Sequence, residues 1–111
     1  MNDDIKKKIT NEVNNNDVCL FMKGTPEVPQ CGFSLAVANV LKHLKVNFKS
    51  INVLENNDIR QGIKDFSDWP TIPQLYIKGQ FVGGCDIVKE MFDSGKLQEN
   101  LKSKSIKFND N

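Results

Sequence analysis

The chain has 111 residues, 39% of them hydrophobic and 26% charged, with a formal net charge of +1. That length suits one globular domain, and the balanced charge offers no field for nucleic acid or an anionic membrane. Three cysteines, an odd number, exclude a closed intrachain disulfide framework and leave at least one thiol free, shared with another chain or liganding something.

Ile5, Ile9 and Val13 recur at helical spacing, and the polar run Asn14–Asp17 ends that helix. Val18 to Met22 is a continuous apolar run, as in a strand covered on both faces. Lys23 to Gln30 reads as a loop from its Gly and Pro content. Leu35, Ala38, Leu41 and Val37, Val40, Leu44 then give a second helix with a wide apolar face. Val46 to Val53 reads as a strand. Asn56-Asn57-Asp58 caps a third helix carrying Ile59, Ile63 and Phe66, with Gly62 inside it at a cost of about 1 kcal/mol relative to Ala. Gln74–Ile77, Lys78-Gly79 and Gln80–Val82 read as a hairpin. Gly83-Gly84 precede a fourth helix with Ile87, Val88, Met91 and Phe92, which Ser94-Gly95 stops; Leu97 and Leu101 suggest a short fifth.

A helix joining the first two strands makes them parallel, with a right-handed crossover; the last two strands form an antiparallel pair. One mixed four-stranded sheet with helices on both faces satisfies this order, an α/β thioredoxin-like architecture. The expected organisation is a single domain over 1–111, with a core at about 5–101 and a polar, flexible tail at 102–111. No apolar run approaches the ~20 residues of a membrane helix. The acidic start, without an apolar signal core or Arg, points to a bacterial cytoplasm, or to a mitochondrial or plastid matrix after presequence removal.

Cys31 falls at a loop-to-helix junction after the first strand. Helix N-terminal amides and the nearby Lys23 favour a thiolate there; otherwise Cys31 is a small loop residue. Cys31-Gly32-Phe33-Ser34 departs from the dithiol Cys-x-x-Cys pattern, because Ser34 cannot close a local disulfide. Cys19, in mid-strand, reads as core. His43 lies among Lys42 and Lys45 and reads as solvated.

Lys23-Gly24-Thr25-Pro26, Pro29 to Ser34, Trp69 to Gln74 and Gly83 to Asp86, in that order and spacing, resemble the monothiol glutaredoxins of the CGFS type, in their short single-domain form. The resemblance spans about residues 5 to 101. It implies a cis peptide before Pro73, which would expose the Ile72 N–H and C=O to an extended peptide. It also implies a glutathione site. Lys23 and Arg60 would hold the glycine-end carboxylate, Ile72 would pair with the cysteinyl backbone, and Cys85 and Asp86 would hold the γ-glutamyl end. Arg60, the only arginine, offers the planar fork that suits a carboxylate; otherwise it is an exposed helix charge. Lys64, one turn later, is a weaker candidate for the same carboxylate. Asp86 otherwise caps its helix. Cys85 is either packed beside the site or a thiol that pairs with Cys31 on oxidation. Trp69 and Phe33 read as packing residues, Phe33 also shaping a partner surface.

The resemblance further implies that Cys31 and a glutathione thiolate ligate a [2Fe–2S] cluster shared with a second chain, four thiolates in all. The implied role is an iron–sulfur cluster carrier, with BolA-like proteins and recipient apoproteins as partners. The alternative is a glutathione-dependent oxidoreductase, at most a weak enzyme, that reduces protein–glutathione mixed disulfides through Cys31.

Overall fold

In the computed structural model, which describes residues 1–110, the Asn2 side chain accepts the Ile5 N–H at 2.9 Å and caps α1 (Asp3–Asn15). The stripe Ile5, Ile9, Val13 is buried. β1 (Val18–Met22) is buried along its whole length. Alternate residues serve opposite faces of the sheet. Val18, Leu20 and Met22 pack with Val37, Ala38 and Leu41 of α2 (Gly32–His43), Val88 of α4 (Cys85–Ser94) and Leu97 and Leu101 of α5 (Lys96–Ser103). Cys19 and Phe21 pack with the α1 stripe and with Ile59 and Ile63 of α3 (Asn57–Ser67).

The sheet has four strands in the order β2-β1-β3-β4. β1 runs parallel to β2 (Lys49–Asn52) and antiparallel to β3 (Gln74–Ile77), which pairs antiparallel with β4 (Gln80–Gly83). Lys78 and Gly79 both take positive φ, 51° and 77°, as a two-residue hairpin turn requires. The expected thioredoxin-like sandwich is therefore present, with α1 and α3 on one face and α2, α4 and α5 on the other.

At Gly62 α3 packs tightly against α1. A Cβ there would lie 2.6 Å from Ile5 Cγ2 and 3.2 Å from Ile9 Cδ1, so glycine's helix penalty secures close packing.

Three segments differ from the sequence reading. β2 begins at Lys49 rather than Val46. Lys45 is left-handed (φ 54°) and the Val46 N–H still bonds Leu41 O at 3.1 Å, so residues 46–48 are leaving α2 while Val46 and Phe48 pack into the core. Val53 starts a 3-10 turn, Val53–Glu55, because Asn52 Oδ1 accepts the Leu54 N–H at 3.0 Å. Of the 102–111 segment read as a flexible tail, the described part is anchored instead, and Asn111 lies outside the described residues. Ser105 (φ 58°) turns the chain back, Ile106 is 8% exposed, Phe108 packs on the core, and the Asn109 N–H donates to Leu44 O at 2.6 Å. Leu35, placed on the apolar face of α2, is 39% exposed.

Candidate functional site

The Lys23–Gln30 loop folds on itself before it reaches the thiol. The Gln30 N–H donates to Lys23 O at 2.9 Å and the Thr25 N–H to Val28 O at 3.2 Å. Gly24 (φ 87°) sits where a Cβ would lie 2.5 Å from Val28 O, so the turn needs glycine. Asn52 Oδ1 accepts the Gly24 N–H at 2.9 Å and ties the loop to the end of β2.

This loop delivers Cys31 to the N-cap of α2, with extended backbone and its C=O accepting the Leu35 N–H at 2.9 Å. Its thiol is half-buried, and its pKa lies below the ordinary thiol value. The Ser34 N–H is the main cause; burial opposes it, and the Phe33 N–H, the Lys23 charge and the Ser34 hydroxyl assist. Ser34, fully buried, also accepts the Lys23 N–H on Oγ at 3.0 Å.

Two adjoining clefts flank the thiol. The first, ≈ 300 Å³, is lined by Lys23, Cys31, Phe33, Lys64 and the Pro70–Ile72 segment. The second, ≈ 240 Å³, shares Phe33, Thr71 and Ile72 with it and extends past Trp69 to Gly84, Cys85 and Asp86. The structure thus brings Lys23, Cys31, Ile72, Cys85 and Asp86 to one continuous groove. Arg60 lines neither cleft; its Nε is buried without a partner. Lys64, the weaker candidate from sequence, does line the groove.

The Ile72–Pro73 peptide is cis. Among the described residues the Ile72 N–H makes no hydrogen bond within the chain. Gly84, not Asp86, is the N-cap of α4, and Asp86 stands exposed in the first turn with no hydrogen bond or ion pair to its carboxylate among the described residues. The α4 N-terminal amides and a free carboxylate therefore meet at the far end of the groove. The Cys85 thiol is pushed up by burial, with Lys89 opposing and the charges of Asp86 and Cys31 adding to the rise. Cys19 is fully buried, its pKa pushed up to about 12, chiefly by burial. Phe33 is 63% exposed at the rim, whereas Trp69 packs on Phe81 at 5.8 Å. His43 is exposed and contacts Phe92 edge-on at 5.5 Å. The sequence reading gave no role to Asn52 or Gln74. A polar residue ending one strand and another opening an apolar strand were the available signals.

The glutaredoxin family model matches residues 18–82. The chain belongs to the glutaredoxin family. Probable monothiol glutaredoxin 2 of Rickettsia felis is 55% identical over 94 residues, covering 85% of this chain and 90% of that protein. Monothiol glutaredoxin-S11 of rice is 52% identical over 104 residues, 94% of this chain, which spans only 21% of that longer protein. Among solved structures, a monomeric truncated mutant of Trypanosoma brucei 1-C-Grx1 superposes with a TM-score of 0.86 at 44% identity, covering 93% of this chain and 94% of that one. A buckwheat glutaredoxin–glutathione complex does so with 0.79 at 26% identity, again covering 93% and 94%. Ser34 in place of a second cysteine agrees with the monothiol names of these relatives.

Proposed function

We propose that this glutaredoxin binds glutathione along the groove and carries a [2Fe–2S] cluster as cargo to recipient apoproteins. The observation behind this reading is Cys31 itself: a half-buried thiol, lowered in pKa, with a serine where a resolving cysteine would stand. A thiolate is the ligand form as well as the nucleophile. Among the described residues no group of three or more His, Cys, Asp or Glu gathers to hold a metal. A cluster at Cys31 therefore needs ligands from outside the chain, and two chains with two glutathiones supply the usual four thiolates.

The groove has the donors glutathione needs. Lys23 and Lys64 face a carboxylate at one end, with Arg60 one turn before Lys64 and its Nε unpaired. Ile72 offers backbone pairing in the middle. The Cys85 and Asp86 amides hold the γ-glutamyl carboxylate, and the Asp86 side chain holds its ammonium. That a buckwheat glutaredoxin at 26% identity was solved as a glutathione complex supports glutathione as the ligand. Half of such a ligand set is non-covalently bound, so the cargo is transferable. BolA-like proteins are the partners this reading names, and a reducing cytoplasm or organelle matrix is the compartment.

A second reading draws on the same lowered pKa. The Cys31 thiolate attacks the glutathionyl sulfur of a mixed disulfide and releases the protein thiolate; a second glutathione thiolate then attacks that sulfur, frees Cys31 and leaves as glutathione disulfide. Anaerobic reconstitution with iron and sulfide, with and without glutathione, separates the two. The carrier develops visible cluster absorption only with glutathione, and Cys31→Ser abolishes it. A colourless monomer with brisk mixed-disulfide reductase turnover contradicts the carrier.

A further inference from the structure

Gln74 is the first residue of β3 and is fully buried, yet every part of its amide is used. Nε2 donates to Trp69 O at 3.2 Å and to Thr71 O at 3.1 Å, and Oε1 accepts the Tyr76 hydroxyl at 3.0 Å. Both donors thus go to carbonyls of the loop that walls the two clefts, while Gln74 itself lines neither.

The Thr71 carbonyl and the Ile72 N–H belong to one peptide plane. That peptide is trans: among the described residues the one cis bond is Ile72–Pro73. In a trans plane the C=O and N–H point in opposite directions. A carbonyl held inward by Gln74 therefore turns the Ile72 N–H outward, toward the groove that Thr71 and Ile72 line. An unheld plane is free to flip, burying the donor and presenting the carbonyl. Hydrogen bonding to the carbonyl also polarises the same amide and strengthens its N–H as a donor.

We propose that Gln74 is a positioning residue: its amide clamps the Thr71–Ile72 peptide so that the Ile72 N–H meets the backbone carbonyl of an extended peptide ligand. The clamp rests on the glutathione reading above and deepens it, assigning backbone recognition in the groove to a side chain that never touches the ligand. The Tyr76 hydroxyl bonds the other end of the amide, Oε1, and takes neither of its donors.

The test uses S-methylglutathione, which cannot exchange with Cys31. In the unmodified protein the Ile72 amide resonance shifts when this probe binds. Gln74→Met, close in size but without donors, weakens binding about tenfold, the scale of one lost hydrogen bond, and removes most of the Ile72 shift. Its Cys31 alkylation rate stays as in the unmodified chain. Tyr76→Phe, which leaves both donors in place, binds within about twofold. Gln74→Met binding within twofold, or equal weakening by Tyr76→Phe, overturns the clamp. So does an Ile72 resonance that ignores bound probe in the unmodified chain, a result that needs no folded variant. Failure of the unmodified protein to bind the probe overturns the glutathione reading as well, so the two failures are distinguishable.

Discussion

Ser34 Oγ accepts the Lys23 backbone N–H at 3.0 Å and joins the end of β1 to the first turn of α2, closing the loop that carries Cys31. At the position where a dithiol relative has its second sulfur, this protein has a buried bracket. The Ser34 N–H and hydroxyl also favour the Cys31 thiolate. Ser34→Ala removes the bracket and the hydroxyl together. It should lower stability by about 1–2 kcal/mol, the cost of leaving a partly buried N–H unpaired, and raise the alkylation midpoint of Cys31. Denaturant unfolding and the pH dependence of iodoacetamide labelling read the two effects. Unchanged values in both would deny the Ser34 hydroxyl either role.

The three thiols should separate by reactivity. Cys31 lies below the ordinary thiol range, Cys85 is raised by burial, and Cys19 is pushed up to about 12. Mass spectrometry of briefly alkylated native protein should find label on Cys31 first, then Cys85, with Cys19 unlabelled until unfolding. Because ionised Cys31 is favoured in the folded chain, its stabilising effect relative to Cys31→Ala is present at high pH and fades as pH falls through its folded-state value. Label appearing first on Cys85 would contradict this order.

Lys64 lines the groove beside Lys23, whereas Arg60 lines neither cleft. Lys64→Ala should therefore weaken S-methylglutathione binding about threefold to fivefold, the range of a partly exposed charge pair, and Arg60→Ala should weaken it less. Calorimetric titration of the two variants decides the ranking. A larger loss in Arg60→Ala would return the glycine-end carboxylate to the arginine.

Ile106 is 8% exposed beyond the end of α5 and sits in the core cluster with Leu97 and Leu101. Ile106→Ala should cost about 2 kcal/mol, as for other buried Ile-to-Ala changes, seen as a lower urea midpoint at unchanged slope. A midpoint equal to the unmodified protein would restore the picture of a loose tail.

Much of this structure was legible in the chain. The stripe Ile5, Ile9, Val13 and the apolar run Val18–Met22 carry their periods openly because each meets a single uniform environment. Lys78-Gly79 announced its turn through residues that accept positive φ. Val46–Phe48 misled because buried apolar residues in irregular backbone look like a strand. The tail misled because Ile106 and Phe108 are anchors within a lysine-rich segment. At the site, the four motif blocks marked Cys31, Ile72, Cys85 and Asp86, which the fold brings to one groove. Gln74 was silent because its task depends on carbonyls of the loop before it, a relationship that appears only once that loop is folded.

The most direct test of the carrier reading is the composition of the reconstituted protein. After anaerobic loading and removal of free ligands, iron, sulfide, glutathione and molecular mass are measured on the same coloured fraction. The account predicts a dimer with equal amounts of iron, sulfide, glutathione and chain, and loss of iron and dimer together when glutathione is stripped. A coloured monomer, or a dimer that keeps its iron without glutathione, would contradict it.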